Sequence, residues 1–491
     1  MYRKLYNKLL IWKDSPKRKP LVLDGARQVG KSWLVEEFAS KEYSNWVKLD
    51  LREENSPETM IFENNTRARD IIMAIAALTN ERIEPGKTLI FIDEIQDRPK
   101  AIRSLKAFKE EAPEFHVIAA GSMLGLAIHK DRFRDDKSQN ESFPVGQVNM
   151  MTLYPMDFGE FLIALGRTNA EELLAEGDIK AIDGLHEFYE RYLRLYYYIG
   201  GMPEVVKAFA ESIHNDVADF SEPRRIQMEI LSGYDHDFTK KNSMNDIVKI
   251  RKVWSSLTYL TARQRQGERY KLSMLGKDAR WRDYDYALSY LEQIGIVYRV
   301  NRVNRIETPL SNFEDTSRFK LYPLDCGLLG AMSSIPATKL VLPSESQDMF
   351  MFKGAFAETY ILQQILASEY PSRIAGKNNI FYFADIKEDN QSSRETLNEI
   401  DFCLHLPDAI PLEVKAETGV QSKSLAKYLK ENPNRQAIRA SMKRFDDAGR
   451  TVSVPLYLIG YYLDQKILES KKDERLKQLG NLIQADAEKD F

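Results

Sequence analysis

The sequence contains few cysteine and histidine residues, which form disulfide bonds in small domains and bind transition metals. Among its 491 residues are two cysteines, Cys326 and Cys403, and six histidines, and no CxxC, HxxxH or HExxH pattern occurs. This argues against a disulfide scaffold and against a zinc site. The longest mostly apolar stretch, residues 117–128, is too short to cross a bilayer, and residues 1–10 lack the apolar core of a signal peptide. We therefore expect a cytoplasmic protein with no membrane segment.

A large excess of charge of either sign is also missing. Lysine and arginine together number 70 and aspartate and glutamate 73, which gives a net charge of −3. This balance does not imply a polyelectrolyte partner for the whole chain, so any nucleic-acid surface has to be local. With 43% hydrophobic residues the composition is globular, and the length corresponds to about three or four domains.

The first half of the chain predicts a parallel sheet followed by a helical unit. Residues 1–165 alternate short apolar runs with helical patterns, as in sheets that are covered by helices on both faces. The strand candidates are residues 20–24, 46–51, 88–92, 115–120 and 148–153. The pattern then turns helical over residues 166–243. The fold class we expect is therefore α/β.

The second half predicts two further units and a tail. Within residues 244–340, helices precede a strand pair, which suggests a winged helix. Residues 345–475 combine a helix with three strand candidates, at 380–384, 399–406 and 410–415. Residues 476–491 form a charged tail.

A glycine-rich segment follows the first strand candidate. Residues 25–32, GARQVGKS, match the pattern GxxxxGK[ST] in full, which average residue usage would produce in this chain with a probability of roughly 0.02. The glycines let the backbone curl so that several N–H groups face a phosphate, and the following helix adds positive potential. The predicted phosphate-binding residues are Gly25, Ala26, Arg27, Gln28, Val29, Gly30, Lys31 and Ser32.

Four side chains have distinct predicted tasks around ATP and Mg²⁺. Lys31 reaches the β- and γ-phosphates, and the Ser32 hydroxyl is a ligand for Mg²⁺. The third strand candidate ends in Asp93 and Glu94, 62 residues after Lys31. Because two carboxylates at the end of an apolar strand are costly without a task, we expect Asp93 to hold Mg²⁺ through water. Glu94 would then orient or polarise the attacking water.

Two further candidates for this site lie after the fourth strand candidate. If that strand is central, Ser122 lies between the loop and the acidic pair and contacts the γ-phosphate or the water; an ordinary strand-end turn is the alternative. Arg132 and Arg134 stand where an arginine can reach the γ-phosphate of a neighbouring subunit. The surrounding sequence, HKDRFRDDK, favours a solvated loop instead.

Together these motifs resemble AAA+ ATPases, and more closely a bacterial and archaeal group that joins an AAA+ core to a C-terminal domain of obscure function. The likeness covers nearly the whole chain and rests on GARQVGK at 25–31, DEIQ at 93–96, GGMPE at 200–204, and FKLY at 319–322 followed by Asp325 and Gly327. The resemblance implies an AAA+ core at 1–165, a helical lid at 166–243, and ATP with Mg²⁺ as cofactors.

The resemblance also implies a nucleotide contact and contains one departure. In related signal-transduction ATPases a GxP turn places its proline beside the adenine, and Gly201 and Pro203 fit that role. Relatives often have arginine where this chain has Gln147. If that arginine matters for ATP turnover or assembly, this chain is slow or uses another residue.

The C-terminal unit has a second constellation of charged residues. Glu413 and Lys415 lie on the same face of a strand candidate because side chains alternate with a period of two. With Asp401 on the preceding strand candidate, two carboxylates can hold a divalent metal, and the lysine can orient a water or stabilise charge on a phosphate. Glu358, on the helix before these strands, can add a metal contact.

These residues resemble the PD-(D/E)xK nuclease fold, with Asp401 and the Glu413–Lys415 pair in the motif positions. The resemblance implies a restriction-endonuclease-like domain at 345–475 and a metal-dependent cleavage of DNA. An ExK pattern by itself is common, and residues 469–471 contain another in a polar tail. The alternative is a solvated strand face in a domain that only binds.

A basic segment suggests where DNA would bind. Residues 263–282 contain seven basic and two acidic residues with two aromatic residues between them, and Arg299, Arg302 and Arg305 follow on the possible wing. Such a cluster suits phosphate contacts, but winged helices also dock proteins. Because no base-reading set is recognisable, sequence specificity cannot be argued.

Two functional hypotheses follow. The first is an ATP-controlled DNA-processing enzyme in which lid closure repositions the C-terminal modules on DNA. The second is a signalling or regulatory ATPase switch that assembles as a homo-oligomer in a nucleotide-dependent way and whose C-terminal domain binds a partner without cleaving. The intact carboxylate–lysine set favours the first hypothesis, and Gln147 favours the second.

Overall fold

The computed structural model describes residues 1–122, 144, 146–214, 218–240, 242–264, 275, 280–342, 350–371, 373–374, 377–386, 396–416, 422–447 and 449–487. Arg132, Arg134 and most of the basic segment at 263–282 lie outside the described residues. Across the ranges above, no helix combines the length and apolar character needed to span a bilayer.

The first sheet has five strands, all parallel. Its strands are β1 (Leu21–Asp24), β2 (Asn45–Asp50), β3 (Thr88–Asp93), β4 (His116–Ala120) and β5 (Asn149–Thr152). Their order across the sheet is β2-β3-β4-β1-β5, and every neighbouring pair is parallel. This confirms the α/β prediction and all five strand candidates. The order also places the end of β4 between the ends of β1 and β3.

Helices cover both faces of this sheet. They are α1 (Leu5–Asp14), α2 (Lys31–Glu42), α3 (Pro57–Asn64), α4 (Ala68–Thr79) and α5 (Pro99–Glu111). Successive residues of a strand enter different cores: Phe91 packs in one buried cluster, whereas Ile90 and Ile92 pack in the other. Both faces are therefore apolar, which explains why the strands appear in the sequence as continuous apolar runs.

The helical part of the chain follows β5. Its helices are α6 (Phe158–Ala164), α7 (Thr168–Glu176), α8 (Ile179–Gly184), α9 (His186–Ile199), α10 (Pro203–His214), α11 (Ser221–Lys240), α12 (Met244–Gln264) and α13 (Trp281–Gln293). A capping box at Asp157 and Glu160 begins α6. Gly200, with φ at 76°, ends α9 and starts the turn that leads to α10.

The second sheet has seven strands and joins the predicted wing to the C-terminal unit. Its strands are β6 (Val297–Val303), β7 (Glu314–Pro323), β10 (Phe381–Ile386), β11 (Thr396–Leu406), β12 (Asp408–Lys415), β13 (Ala437–Ser441) and β14 (Thr451–Pro455). Between β7 and β10 lies a small pair, β8 (Arg373–Ile374) and β9 (Lys377–Asn378). The order of the large sheet is β14-β13-β12-β11-β10-β6-β7.

The hairpin of the predicted winged helix is thus present, but it is an edge of a larger sheet. Strand β6 pairs with β7 antiparallel and with β10 parallel, through Phe381 opposite Asn301. The sheet crosses the boundary that we expected at residue 340, and the winged-helix assignment stays a prediction. Strand β13 is absent from the sequence-based candidates.

Five more helices lie in the described residues after β7. They are α14 (Cys326–Met332), α15 (Ala337–Val341), α16 (Phe350–Ala367), α17 (Lys423–Glu431) and α18 (Ile459–Ala487). Helix α18 includes most of the predicted tail. Cys326 and Cys403 are both free and buried, in line with the expectation that the chain carries no disulfide scaffold.

Candidate functional site

The glycine-rich loop connects β1 to α2, as the motif predicts. Gly25 has φ at 146°, and a Cβ at this position would lie 2.3 Å from the carbonyl oxygen of Leu153 on the neighbouring segment. Gly30, at φ 93°, precedes α2, which begins at Lys31. Only glycine meets both the conformational and the steric demand at Gly25. The N-terminus of α2 is thereby placed at the end of the loop, where it favours an anion.

Four carbonyl groups of the loop accept hydrogen bonds from side chains. Lys31 Nζ donates to the carbonyls of Gly25, at 2.9 Å, and Ala26, at 2.8 Å. The Tyr234 hydroxyl donates to the carbonyl of Arg27 at 3.0 Å. Arg3 Nη1 donates to the carbonyl of Val29 at 2.7 Å. These donors come from α2, from α11 and from the start of the chain, so the loop conformation depends on three separate elements.

Arg3 is itself held rigidly. It is 4% exposed, its Nε lies 3.1 Å from the Glu160 carboxylate, and its Nη2 donates to the carbonyl of Tyr154 at 2.5 Å. The sequence analysis missed this residue because an arginine near the N-terminus of a chain has no distinguishing local pattern.

Lys31 is buried, and burial lowers the pKa of its ammonium to about 8 although the carboxylates of Asp24, Glu94 and Asp93 act in the opposite direction. A buried cation with a lowered pKa gains more from a phosphate than an exposed lysine would, because little water screens the interaction. Ser32, the next residue of α2, is half-buried.

The acidic pair stands at the carboxyl end of β3, two strands from the loop. Asp93 is 5% exposed, and Glu94 directly follows with φ at 56°, a left-handed conformation that is strained for glutamate. Gln96 Nε2 donates to Glu94 Oε2 at 2.7 Å, and Gln96 Oε1 accepts from the backbone N–H of Ser122 at 3.3 Å. Gln96 therefore ties the acidic pair to the end of β4.

Strand β4 lies between β1 and β3, as the prediction for Ser122 requires, so Ser122 follows a central strand. It is 7% exposed, and its contact with Gln96 goes through the backbone rather than the hydroxyl. Whether the hydroxyl contacts a phosphate or a water stays a prediction.

A lysine that the sequence analysis did not single out pairs with Asp93. Lys48 Nζ, on β2, lies 3.1 Å from Asp93 Oδ2 and 2.6 Å from Glu36 Oε1. Burial alone would lower the pKa of Lys48, but these two carboxylates raise it above its ordinary value. A cation that binds Asp93 therefore competes with Lys48.

The turn before α10 connects the loop to the C-terminal sheet. A Cβ at Gly30 would lie 3.5 Å from Cγ of Pro203, so this proline packs at the phosphate loop. Two residues earlier, the Gly201 N–H donates to Asp325 Oδ2 at 2.6 Å. Asp325 is fully buried and also accepts from Gln363 Nε2 at 3.0 Å. The adenine contact expected of Pro203 stays a prediction.

Asp325 links several elements because its oxygens reach three donors. Besides Gly201 and Gln363, it caps α14 by accepting from the Leu328 N–H at 2.9 Å. Burial raises its pKa, against the effect of these hydrogen bonds. The packing is close: a Cβ at Gly200 would lie 2.1 Å from Asp325 Oδ1.

A second contact joins the loop to the helical region. Arg27 Nη1 lies 2.6 Å and 2.7 Å from the two carboxylate oxygens of Asp237 on α11. Asp237 is 3% exposed, whereas the Arg27 side chain is 43% exposed. In this conformation, Arg27 forms an ion pair between the phosphate loop and the predicted lid. Its guanidinium therefore does not point to a phosphate site.

Gln147, where the resemblance leads us to expect an arginine, has a specific contact. Its Oε1 accepts from Lys109 Nζ of α5 at 2.5 Å.

In the C-terminal sheet, the structure brings the predicted charged residues together around one buried lysine. Lys320 Nζ, from β7, lies 2.7 Å from Glu399 Oε1, 3.5 Å from Asp401 Oδ1 and 3.7 Å from Glu358 Oε2. Lys415 Nζ pairs with Glu413 on β12. We call Lys320, Glu358, Glu399, Asp401, Glu413 and Lys415 the acidic centre.

The acidic centre is buried and its carboxylates are positioned by neighbours. Asp401 Oδ2 accepts from the Val414 N–H at 2.8 Å, and Glu358 Oε2 accepts from the Tyr322 hydroxyl at 2.9 Å. Glu413 is 4% exposed, and its Oε2 has no hydrogen-bond partner among the described residues. Burial, with the nearby Asp401 charge, raises the pKa of Glu413 to about 8.

This arrangement does not fit a divalent metal in its present form. Within the described residues, no group of three or more His, Cys, Asp or Glu side chains is placed to hold a metal ion. An ammonium stands among the oxygens of Glu358 and Asp401 instead. The predicted metal roles of Glu358, Asp401 and Glu413 stay predictions.

Two of the three arginines predicted to meet DNA are engaged within the protein. Arg299 pairs with Glu292 at 3.0 Å. Arg302 donates to the carbonyl of Ala384 at 2.8 Å and pairs with Asp315 at 3.1 Å. Arg305 is exposed.

Comparisons with known families agree with the loop and the acidic strand. Residues 17–162 match a family described as an AAA domain. The matched part of the chain contains Lys31 and Asp93, and the match supports ATP binding. Residues 190–339 match a family described as a domain of unknown function, DUF8612, which ends before Glu358. No curated protein matches the chain.

Three solved structures are similar at low identity. The Walker-type ATPase PABY2304 of Pyrococcus abyssi is 14% identical, with a TM-score of 0.39, over 67% of this chain and 95% of its own. The Thermotoga maritima RuvB Holliday junction branch migration motor is 17% identical, at 0.28, over 60% and 89%. The Aeropyrum pernix ORC1 protein, solved in complex with DNA, is 13% identical, at 0.27, over 69% and 93%. Such TM-scores carry no argument about this chain's partners.

Proposed function

We propose that the chain is an ATP-binding and ATP-hydrolysing switch in which the nucleotide state of the AAA-type domain controls the C-terminal sheet. One observation carries this proposal: only two contacts connect the phosphate loop to the C-terminal sheet. Pro203 packs at Gly30, and Gly201 in the same turn donates to Asp325, two residues after the end of β7. A shift of the loop on nucleotide binding would therefore be passed directly to the edge of the C-terminal sheet.

The nucleotide chemistry is assigned to residues of the loop and of β3. Lys31 and the backbone of residues 25–30 would bind the β- and γ-phosphates, with the N-terminus of α2 contributing positive potential. Glu94 would orient the attacking water, and Gln96 would position Glu94 through its 2.7 Å hydrogen bond. The hydrogen bond from the Ser122 N–H to Gln96 supports a role for Ser122 beside Glu94.

The residues present suit Mg²⁺. A serine hydroxyl at the start of α2 and a buried carboxylate at the end of β3 are oxygen donors of the kind Mg²⁺ takes, with water completing its coordination. Ser32 and Asp93 would hold the ion, which supplies charge neutralisation at the phosphate oxygens. Lys48 would have to give up its contact with Asp93, since both cations use the same carboxylate.

The experiment that tests this function measures nucleotide affinity and turnover separately. Purified full-length protein is compared with Lys31→Ala and Glu94→Gln. Lys31→Ala is expected to lose nucleotide binding, whereas Glu94→Gln is expected to bind ATP and to hydrolyse it on the order of a hundredfold more slowly. Turnover in Glu94→Gln equal to that of the wild type would refute the assignment of Glu94.

Assembly is a further part of this proposal. Nucleotide-dependent homo-oligomers are the arrangement in which an arginine of one subunit can reach the γ-phosphate of another. Light scattering with and without ATP and Mg²⁺ tests it, with Lys31→Ala as the control that should not respond. A monomer in every nucleotide state would exclude an arginine finger supplied by a second copy.

A second candidate function, ATP-controlled DNA cleavage, is favoured by one observation. Glu413 carries a buried oxygen without a partner among the described residues, beside its ion pair with Lys415 and near Asp401. A buried, unsatisfied carboxylate oxygen is costly unless a ligand or an ion satisfies it. DNA, reached through the hairpin and the C-terminal strands, would be the substrate.

Cleavage assays on plasmid and single-stranded DNA, with Mg²⁺ or Mn²⁺ and with or without ATP, decide between the two candidates. Cleavage that disappears in Glu413→Ala and Lys415→Ala would establish a nuclease, and its response to Lys31→Ala would show whether ATP controls it. Absence of cleavage, with ATP turnover intact, would leave a switch whose C-terminal domain binds without cutting.

A further inference from the structure

Lys320 is an unusual occupant of its strand. The sequence around it, FKLYPL at residues 319–324, is otherwise largely apolar, and Lys320 is 3% exposed. An unpaired ammonium buried to this extent would be very unfavourable. Its position is therefore compatible with folding because carboxylates from two other elements lie within ion-pair distance of its Nζ, although Nζ makes no well-aligned hydrogen bond with any described residue.

Those carboxylates come from α16 and β11. Glu399 and Asp401 lie on the same face of β11, being two residues apart, and both contact Lys320 Nζ, at 2.7 Å and 3.5 Å. Glu358 of α16 approaches to 3.7 Å. The side chain of Lys320 passes the ring of Tyr382 on β10, with Nζ 5.3 Å from its centroid. Burial alone would lower the pKa of Lys320, but Glu399, Glu358 and Asp401 raise it well above its ordinary value.

We infer that the Lys320 ammonium is the resident cation of the acidic centre, standing where a nuclease-like site would hold a divalent metal, so that the centre takes no divalent metal while Lys320 is in place. The inference goes beyond the proposed function and does not depend on ATP. It assigns a role to Lys320 and Glu399, neither of which belongs to the carboxylate–lysine motif.

Competition for the same oxygens is the physical basis. A divalent metal would use Asp401 Oδ1 and Glu358 Oε2, which lie 3.5 Å and 3.7 Å from Lys320 Nζ. Oxygen ligands bind such a metal at about 2.0–2.6 Å, so an ion in this cluster would stand next to the ammonium. Two cations that close in a buried site repel each other strongly. Metal and ammonium are thus mutually exclusive occupants.

The remaining acidic residue, Glu413, has its own cation in Lys415. Four carboxylates therefore face two ammonium groups.

The test is Mn²⁺ binding to the full chain, followed by electron paramagnetic resonance in the absence of nucleotide. The wild type is expected to have no Mn²⁺ site that depends on Asp401. Lys320→Met is expected to gain one site, at least about tenfold tighter than any other, which disappears in Lys320→Met/Asp401→Asn. Lys427→Met, which removes an exposed lysine paired with Asp385 in the same domain, is the matched control and should gain none.

Two results would overturn the inference. The first is a wild-type Mn²⁺ site that is lost in Asp401→Asn, since metal and Lys320 would then coexist. The second is a folded Lys320→Met protein without a new site. If Lys320→Met does not fold, Lys320→Gln replaces it, and the wild-type comparison with Asp401→Asn still decides the first point.

Discussion

The backbone N–H of Gly201 donates a 2.6 Å hydrogen bond to the carboxylate of Asp325, 124 residues further along the chain. Gly201 belongs to the turn whose Pro203 packs at the phosphate loop, and Asp325 follows the strand that carries Lys320. One buried carboxylate therefore lies between the nucleotide site and the acidic centre.

Asp325→Asn is expected to destabilise the chain and weaken the link. In asparagine, an NH₂ group replaces one of the two accepting carboxylate oxygens. This NH₂ group would face another donor, which is the N–H of Gly201, the N–H of Leu328 or the side-chain amide of Gln363. A buried donor without a partner costs about 1–3 kcal/mol. Thermal unfolding measures this loss. Asp235→Asn, which disrupts an exposed pair with Arg251, is the control and should cost less than about 0.5 kcal/mol; equal effects would argue against a special role of Asp325.

Gln96→Ala is expected to slow ATP turnover about tenfold while changing nucleotide affinity little. The substitution removes the hydrogen bond that positions the Glu94 carboxylate, and one such bond corresponds to roughly a factor of ten in rate. Steady-state turnover and equilibrium nucleotide binding are measured on the same preparation. Gln147→Ala, whose glutamine contacts Lys109 and not the acidic pair, should leave turnover within about twofold. A lower affinity with unchanged turnover would place Gln96 in binding instead.

Tyr234→Phe is expected to weaken nucleotide binding about three- to tenfold. It removes one hydroxyl, which holds the carbonyl of Arg27 in the phosphate loop. Tyr198→Phe is a close match, because it also removes a hydroxyl-to-carbonyl hydrogen bond, to Phe220, but away from the loop. Isothermal titration of both variants with ATP separates the two effects. If Tyr198→Phe weakened binding as much as Tyr234→Phe, the loss would reflect general destabilisation of the helical region.

Nucleotide affinity is expected to fall as the pH rises through about 8. Burial lowers the pKa of Lys31 to about 8, so the free protein loses this proton above that pH, whereas a bound phosphate would hold it. Binding then takes up a fraction of a proton near pH 8, and affinity decreases at higher pH. Titrations in two buffers of different ionisation enthalpy measure the uptake. Lys31→Arg, whose side chain stays charged, should show a flatter profile; an unchanged slope would contradict the assignment to Lys31.

The AAA-type core could be predicted from the sequence because its signals are local. Residues 88–92 are continuously apolar since both faces of β3 are covered, and the loop at 25–32 is one contiguous motif in which Gly25 has φ at 146°. The Asp93–Glu94 pair follows from the same logic. Structure that depends on one strand and the helix after it can be recognised from the order and spacing of the residues in that segment.

The remaining features depend on residues that are far apart in the chain. The pairing of Phe381 with Asn301 merges the hairpin with the C-terminal sheet, and no local pattern indicates it. In the sequence, Lys320 is a lysine within an apolar strand. This pattern indicates that a buried carboxylate has to pair with it, but it does not indicate which carboxylate. Strand β13 (AIRAS) is short and contains an arginine, which hides its burial. Tertiary contacts, not propensity, decide these elements.

Hydrogen exchange of the full chain, with and without ATP and Mg²⁺, tests the central claim most directly. In the wild type, nucleotide is expected to change exchange both in the loop at residues 25–32 and in β7. Lys31→Ala should show neither change, and Asp325→Asn should keep the first and lose the second. A wild type that binds ATP and protects the loop while β7 stays unchanged, or a β7 response that survives Asp325→Asn, would contradict a nucleotide switch acting through Asp325.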